Sequence, residues 1–231
     1  TQLHFKQLVK ILDYRKPIFC EKPLFWHNSI THSEVISMIE YINSYPQLIL
    51  HVNTSNANFI KDIRNRIPKK NLIKSFHLEF NTNGVSRGKE IAPDLLPHGI
   101  SMLLELFGFC KVTDLKTIIL NNSYKCEFNY GDCSVKFTFL VGSKIRKKLL
   151  FSINNHQFLR VQKKIGLTDY QVGLKYLQSG DMIEVEDPFQ VYIRRFLIAC
   201  QNNEVDSRDK TKTALNNIRL SASSNSFIVV T

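Results

Sequence analysis

The first fifty residues alternate helix and strand, and this order constrains the fold more than any other feature of the sequence. Apolar side chains recur every three or four positions across residues 3–14, which predicts a helix that buries one face. A short apolar run at 18–20 predicts a strand, and Thr31 with Glu34 forms a capping box that begins a second helix. Another apolar run follows at 48–52. Helix, strand, helix and strand joined by short links predict an α/β fold with a parallel sheet.

The later part of the chain has a different pattern, in which apolar and polar residues alternate along successive short segments. This alternation is typical of an antiparallel sheet with one covered face. Helices are predicted at 58–67, at 94–107, from Asp187 and Pro188 onward, and at 207–220. The predicted strands are 71–81, 117–120, 125–129, 134–140, 148–153 and 156–161.

The predicted fold class is α/β: the remnant of a Rossmann-type parallel sheet, followed by an α+β domain with a large, mostly antiparallel open sheet. A polar stretch at 53–56 marks the boundary, so residues 1–54 are predicted to be the C-terminal part of a dinucleotide-binding domain and residues 55–231 a second domain. A G-x-G-x-x-G turn, which begins such a dinucleotide-binding domain, is absent. We therefore expect the chain to be an N-terminally truncated form.

Cysteine usage predicts the cell compartment, and charge and hydropathy predict the kind of partner. The five cysteines have no C-x-x-C spacing, which predicts reduced thiols in a cytoplasmic protein. No apolar run approaches the ~20 residues that cross a bilayer, so no membrane association is expected. The net charge is +11, and the residues after Ser55 carry 26 bases against 16 acids. Such an excess steers anionic ligands or is simply solvated. The basic residues are scattered over several elements, so a nucleic-acid partner is not expected.

Two charges and a proline follow the first predicted strand, as Glu21, Lys22 and Pro23. The carboxyl ends of strands in an open α/β sheet form the crevice where ligands bind. Lys22 precedes a proline and is biased toward an extended or turn conformation, which can hold its ammonium group in one direction. The alternative interpretation is a turn with two solvated charges.

A second pair of polar residues, Asp94 and His98, is spaced to lie on one face of a helix. Pro97 is expected in the first helical turn, which would place Asp94 at the beginning of the helix. A carboxylate and an imidazole one turn apart suit proton transfer, because histidine titrates near neutral pH. The alternatives are a solvated stripe continued by Ser101 and Glu105, or two ligands of a metal site for which no third ligand is evident.

Taken together, these motifs resemble those of the glucose-fructose oxidoreductase / inositol dehydrogenase (Gfo/Idh/MocA) family, in order and at plausible spacing. The run from Thr1 to His4 is similar to the end of a threonine–proline motif, and Cys20-Glu21-Lys22-Pro23 resembles the Glu-Lys-Pro motif. Asp94-x-x-x-His98 is similar to the second family motif, and the helix from Asp187 resembles its C-terminal pattern.

The resemblance implies an NAD- or NADP-dependent dehydrogenase that acts on a sugar or nucleotide-sugar, without a metal. It implies that Lys22 binds the reacting hydroxyl, that His98 takes the hydroxyl proton, and that Asp94 holds the substrate. It also implies a homodimer or homotetramer through the sheet of a substrate-binding and oligomerisation domain. The residues implied to line the cofactor crevice are His4, Glu21, Lys22 and Pro23.

Three departures from the family pattern qualify that reading. The glycine-rich turn is missing, Ser101 stands where the family often has a second acid, and residues 53–55 lack an arginine–aromatic pair. These departures leave open an alternative function, in which the chain is a non-catalytic oligomerisation or regulatory module that retains the scaffold without binding a cofactor.

Overall fold

The computed structural model describes residues 2–14, 16–26, 30–45, 48–166, 170–202, 216, 217 and 220. The described residues contain a two-stranded parallel sheet and an eight-stranded, mostly antiparallel sheet. Each sheet has its own cluster of buried apolar side chains. The predicted fold class is therefore confirmed, while the domain boundary at residue 54 stays a prediction.

The small sheet comes from the alternating first segment. Its elements are helix α1 (Gln2–Leu12), strand β1 (Ile18–Glu21), helix α2 (His32–Asn43) and strand β2 (Leu50–Asn53). The two strands are parallel, so both carboxyl ends lie at one edge of the sheet. Helix α2 begins with the predicted capping box, in which the Thr31 hydroxyl accepts from the Glu34 N–H and the Glu34 side chain accepts from the Thr31 N–H.

The segment after β2 is less regular than its sequence predicts. Helix α3 spans only Asn58–Asp62, and a separate 3₁₀ turn covers Arg64–Arg66. The prediction of one helix over 58–67 is therefore wrong. Pro68 explains part of the difference, because a residue before proline disfavours the helical region and Ile67 is indeed extended.

The large sheet follows, with β3 at its centre. Strand β3 pairs in parallel with β6 and antiparallel with β7, and every other neighbouring pair is antiparallel. The order across the sheet is β10-β9-β8-β7-β3-β6-β5-β4. The strands are β3 (Ser75–Thr82), β4 (Val112–Leu120), β5 (Ser123–Tyr130), β6 (Cys133–Val141), β7 (Lys148–Ile153), β8 (His156–Lys164), β9 (Tyr170–Tyr176) and β10 (Met182–Glu184).

Helix α4 (Ile91–Phe107) covers one face of the large sheet, called here the inner face. It begins three residues earlier than predicted, so Pro93, and not Pro97, occupies the first turn. Pro97 lies inside the helix. Gly99 lets the helix lie close to the sheet, because a Cβ there would come within 2.6 Å of the Phe137 ring. The helix ends at Gly108, which has φ +70°.

Helix α5 (Pro188–Asn202) follows the large sheet in the chain and packs against the small sheet, where the centroid of the Phe196 ring lies 5.4 Å from that of the Phe19 ring. The Asp187 carboxylate accepts hydrogen bonds from two main-chain N–H groups of its first turn, as its sequence predicts. The Tyr192 hydroxyl lies 3.2 Å from that of Thr54, just after β2. The predicted last helix at 207–220 lies largely outside the described residues. No described helix is long and apolar enough to cross a bilayer.

Candidate active site

Lys22 lies directly after β1, at the carboxyl edge of the small sheet, and it reaches across to helix α4. Its ammonium nitrogen is 2.5 Å from Oδ1 of Asp94 and 2.5 Å from the main-chain oxygen of the same residue. The peptide bond from Lys22 to Pro23 is cis. Only 16% of the Lys22 side chain is exposed. The contact therefore brings a partly buried cation from the first segment onto the helix that carries the second predicted motif.

Asp94 is held as an anion by two neighbours. Burial by itself raises the pKa of this carboxyl group, but the Lys22 ammonium and a hydrogen bond from Ser86 outweigh burial and lower the pKa below its usual value. The Ser86 hydroxyl donates to Oδ2 at 3.0 Å, so the two carboxylate oxygens have different partners. Asp94 therefore balances the charge of Lys22 and fixes the direction of its side chain.

His98 lies one helical turn after Asp94 and is partly buried. Its Nδ1 is 3.1 Å from the amide nitrogen of Asn56, and its ring packs edge-on against Phe80 at 5.2 Å between centroids. Burial and the nearby Lys22 ammonium lower the pKa of His98 to about 3. The imidazole is therefore neutral at physiological pH, which is the form that can accept a proton. Nε2 has no hydrogen-bond partner among the described residues, so this atom is left for a ligand.

The strand geometry explains why these groups meet. Lys22 follows β1, Asn56 follows β2, and the two strands are parallel, so both residues emerge at the same edge of the small sheet. Helix α4 passes that edge and presents Asp94 and His98 one turn apart. The site is thus assembled from three segments that are distant in sequence.

The other residues predicted to line the crevice lie around the same turn. Nδ1 of His4 is 3.1 Å from the main-chain oxygen of Pro23, which is itself buried. Glu21 is exposed and accepts a hydrogen bond from Asn53 at 2.7 Å. These contacts brace the turn that carries Lys22.

Four residues near the site have no counterpart in the sequence prediction: Asn56, Phe80, Ser86 and Arg160. Asn56 lies in the polar stretch 53–56, which predicts a domain boundary, and its position after a predicted strand is a signal that it could line a site. Phe80 was predicted as a strand residue. Ser86 lies in an irregular loop, and Arg160 is one of many basic residues in the chain. No pattern in the sequence distinguishes the last two.

The described residues form an edge that fits the nicotinamide of a dinucleotide, but they contain no turn that fits its pyrophosphate. A nicotinamide could lie at the edge formed by Lys22, Pro23 and His4, because the carboxyl ends of parallel strands form such a crevice. Gly84 is the first glycine of the chain, so the small sheet contains no glycine-rich turn to cradle a pyrophosphate. Within the described residues, no group of three His, Cys, Asp or Glu side chains could hold a metal ion.

In the candidate site, a lysine at the end of a strand meets an aspartate, with a histidine one turn further along the helix that covers the large sheet. Solved structures with the same overall fold are oxidoreductases. The structure of this chain is similar to that of a Gfo/Idh/MocA family oxidoreductase from Vibrio cholerae, with a TM-score of 0.64 and 14% identity, over 96% of this chain and 74% of that one. It is equally similar to a 3-ketoreductase from Actinomadura kijaniata solved with NADP, with a TM-score of 0.64 and 15% identity, over 96% and 72% of the two chains.

A variant of the same 3-ketoreductase, solved with TDP-benzene and NADP, also matches with a TM-score of 0.64 and 15% identity, over 96% of this chain and 73% of that one. No protein-family model and no curated protein matches the sequence. The chain therefore has the fold of the Gfo/Idh/MocA oxidoreductases, and it spans about three quarters of their length.

Proposed function

We propose that this chain belongs to an NAD- or NADP-dependent oxidoreductase of the Gfo/Idh/MocA family, which transfers a hydride between nicotinamide and the hydroxyl or keto carbon of a sugar or nucleotide-sugar. The observation that carries the proposal is the meeting of Lys22 and the Asp94–His98 pair at the carboxyl edge of the small sheet. The fold agrees with it, since the similar structures are oxidoreductases and one of them was solved with NADP.

Lys22 is proposed to bind the reacting oxygen. An ammonium group has three N–H donors, and two of them are directed at oxygens of Asp94. The third is free to donate to a substrate hydroxyl or carbonyl. Negative charge develops on this oxygen as the hydroxyl proton leaves or, in the reverse direction, as hydride adds to the carbonyl carbon, and a fixed cation beside it lowers the barrier. Asp94 would act by holding the cation in that direction.

His98 is proposed to exchange the proton of the same oxygen. In the oxidation direction the neutral Nε2 accepts the hydroxyl proton, and in the reduction direction a proton taken from water reaches the oxygen through the same nitrogen. The low pKa of His98 means that the accepted proton is released readily once the product has formed. A bound nicotinamide would supply the hydride acceptor or donor.

The test is the rate of NADP(H)- and NAD(H)-linked oxidation and reduction of sugars and nucleotide-sugars by the natural polypeptide that carries this sequence. Lys22→Met should lower kcat by about 10²-fold or more, because it removes the donor to the developing alkoxide. Lys16→Met is a matched control, since Lys16 is exposed, also precedes a proline, and lies before β1, away from the crevice. Equal turnover by the two variants would refute the role of Lys22.

The nucleotide-sugar substrate and the oligomer are the finer parts of the proposal. A 3-ketoreductase of this fold was solved with TDP-benzene, which supports a nucleotide-linked substrate. The outer face of the large sheet is open among the described residues, with exposed side chains such as Lys136 and Ile118, and we propose that a second copy pairs there. Light scattering on the purified protein should give the mass of a dimer or tetramer, and a monomer at micromolar concentration would exclude this pairing.

The alternative is a non-catalytic oligomerisation or regulatory module, and the described residues contain no glycine-rich turn that would hold the pyrophosphate of a cofactor. This alternative predicts that the polypeptide does not quench NADPH fluorescence and has no turnover with any sugar. A micromolar affinity for NADPH would count against it.

A further inference from the structure

Arg160 is a charged residue of the inner face that the proposed reaction does not use. It lies on β8, two strands away from Phe80 in the same row of the sheet. Phe80 pairs with Leu149 on β7, and Arg160 pairs with Leu174 on β9. Leu150 pairs with Leu159, so the next residues of the antiparallel ladder, Leu149 and Arg160, are also opposite each other. The Cα atoms of Phe80 and Arg160 are therefore separated by about two strand spacings, roughly 10 Å.

This row leads directly to the candidate site. The Phe80 ring contacts His98, and an arginine side chain is long enough to cover much of the distance between the two strands. The charge of Arg160 contributes to the lowered pKa of His98, which also indicates that the guanidinium faces the same space. Arg160 and Lys22 thus approach His98 from the large and the small sheet respectively.

The guanidinium lacks a direct counter-ion. Its Nε atom is buried with no hydrogen-bond partner, and no carboxylate of the described residues forms an ion pair with it. Burial lowers the pKa of Arg160, and the nearby Tyr170 and Asp187 oppose that shift. Asp187 caps helix α5, where its Oδ1 accepts hydrogen bonds from two main-chain N–H groups, and it forms no ion pair with Arg160. A buried donor without a partner is costly unless something binds to it.

One cation of this space has no direct ion-pair partner. Asp94 pairs with Lys22 and His98 is uncharged, whereas Arg160 forms no ion pair among the described residues. A planar guanidinium matches the geometry of a carboxylate or a phosphate, to which it donates two parallel hydrogen bonds. A neutral sugar would leave this charge unpaired.

We propose that Arg160 binds an oxyanion of the substrate, a carboxylate or a phosphate, while the reacting carbon lies between Lys22 and His98. This inference rests on the proposed function for the identity of the reacting carbon, but the binding of the anion does not depend on turnover. Arg160 selects substrates that carry a negative group at a fixed distance from the reacting carbon.

The experiment is isothermal titration of the natural polypeptide with inorganic pyrophosphate, with D-glucuronate and with D-glucose. Binding of glucuronate in preference to glucose indicates a carboxylate-bearing substrate, and binding of pyrophosphate indicates a diphosphate-bearing one. Arg160→Gln should weaken binding of whichever anion the wild type binds by 10-fold or more. Lys163→Gln is the matched control, because Lys163 is exposed on the opposite face of the same strand, and it should change the affinity by less than 2-fold.

Two results would overturn the inference: a wild type that binds neither anion, and an Arg160→Gln variant that binds the anion as well as the Lys163→Gln control. Arg160→Lys provides a second variant if the glutamine variant does not fold. It keeps the charge but loses the paired donors, so we expect an affinity several-fold weaker than that of wild type, and an unchanged affinity would again refute the role. Anion binding without any NAD(P)-linked turnover would leave Arg160 in place and count against the proposed function instead.

Discussion

The buried imidazole of His98 should make the protein lose stability as the pH falls, and His98→Gln should remove that loss. The pKa of a histidine in an unfolded chain is about 6.5, and in the folded protein the pKa of His98 is about 3. Between these values the unfolded state binds a proton that the folded state does not. Protonation therefore favours unfolding, and this penalty grows as the pH falls from 6.5 toward 3.

The loss of unfolding free energy is set by how far the pH falls below the unfolded-state pKa of about 6.5 while staying above the folded-state pKa of His98. Each pH unit inside it is worth about 1.4 kcal/mol, so lowering the pH from 7.5 to 5.0 should cost wild type about 2 kcal/mol through His98 alone. Lys22 and Arg160 face the imidazole and strengthen the effect, whereas Asp94 opposes it. Urea unfolding, followed by tryptophan fluorescence at the two pH values, measures the difference.

A control variant separates this site from other histidines. His77 lies on the outer face of β3, on the opposite side of the sheet from His98, so His77→Gln removes one imidazole outside the candidate site and is the matched control. Circular dichroism at pH 7.5 checks that both variants are folded. If wild type and His98→Gln lose the same free energy between pH 7.5 and 5.0, His98 is not buried beside Lys22 and the description of the site is wrong.

Two further substitutions test the packing that positions the site. Gly99→Ala should lower the free energy of unfolding by about 1–2 kcal/mol, because overpacking against the Phe137 ring exceeds the gain in helix propensity. Gly166→Ala is the control: no described atom lies within 4 Å of the added Cβ, so the same denaturation assay should show little change. Asn58→Ala should cost about 2 kcal/mol, because the buried amide bonds both the Pro188 oxygen and Arg195. The exposed Asn83 is its control, and equal losses of stability by the two alanine variants would contradict the structure.

The sequence predicts the order of elements well where the local pattern and the tertiary contacts agree. The capping box of α2 and the Asp187–Pro188 start of α5 are local signals, and both helices begin as predicted. The start of α4 is different, because two prolines four residues apart, Pro93 and Pro97, each fit a first turn, and only the packing of the helix against the sheet decides between them.

The site itself is predictable only in part, for a physical reason. Lys22, Asp94 and His98 could be found because they lie in short motifs whose family context is known. Arg160 owes its position to the register of four strands, and register depends on pairings between residues that are far apart in the chain. No local pattern identifies which of several basic residues on a strand faces the covered side with an unpaired guanidinium.

The bond between Lys22 and Asp94 joins side chains 72 positions apart, one just after strand β1 of the small sheet and one on the helix that covers the large sheet. The candidate site is therefore assembled only while the small sheet is docked against helix α4 of the second segment. Separation of the small sheet from helix α4 would break this contact while each sheet kept its own buried cluster. A partner or ligand that separates them would therefore disassemble the candidate site without unfolding either sheet.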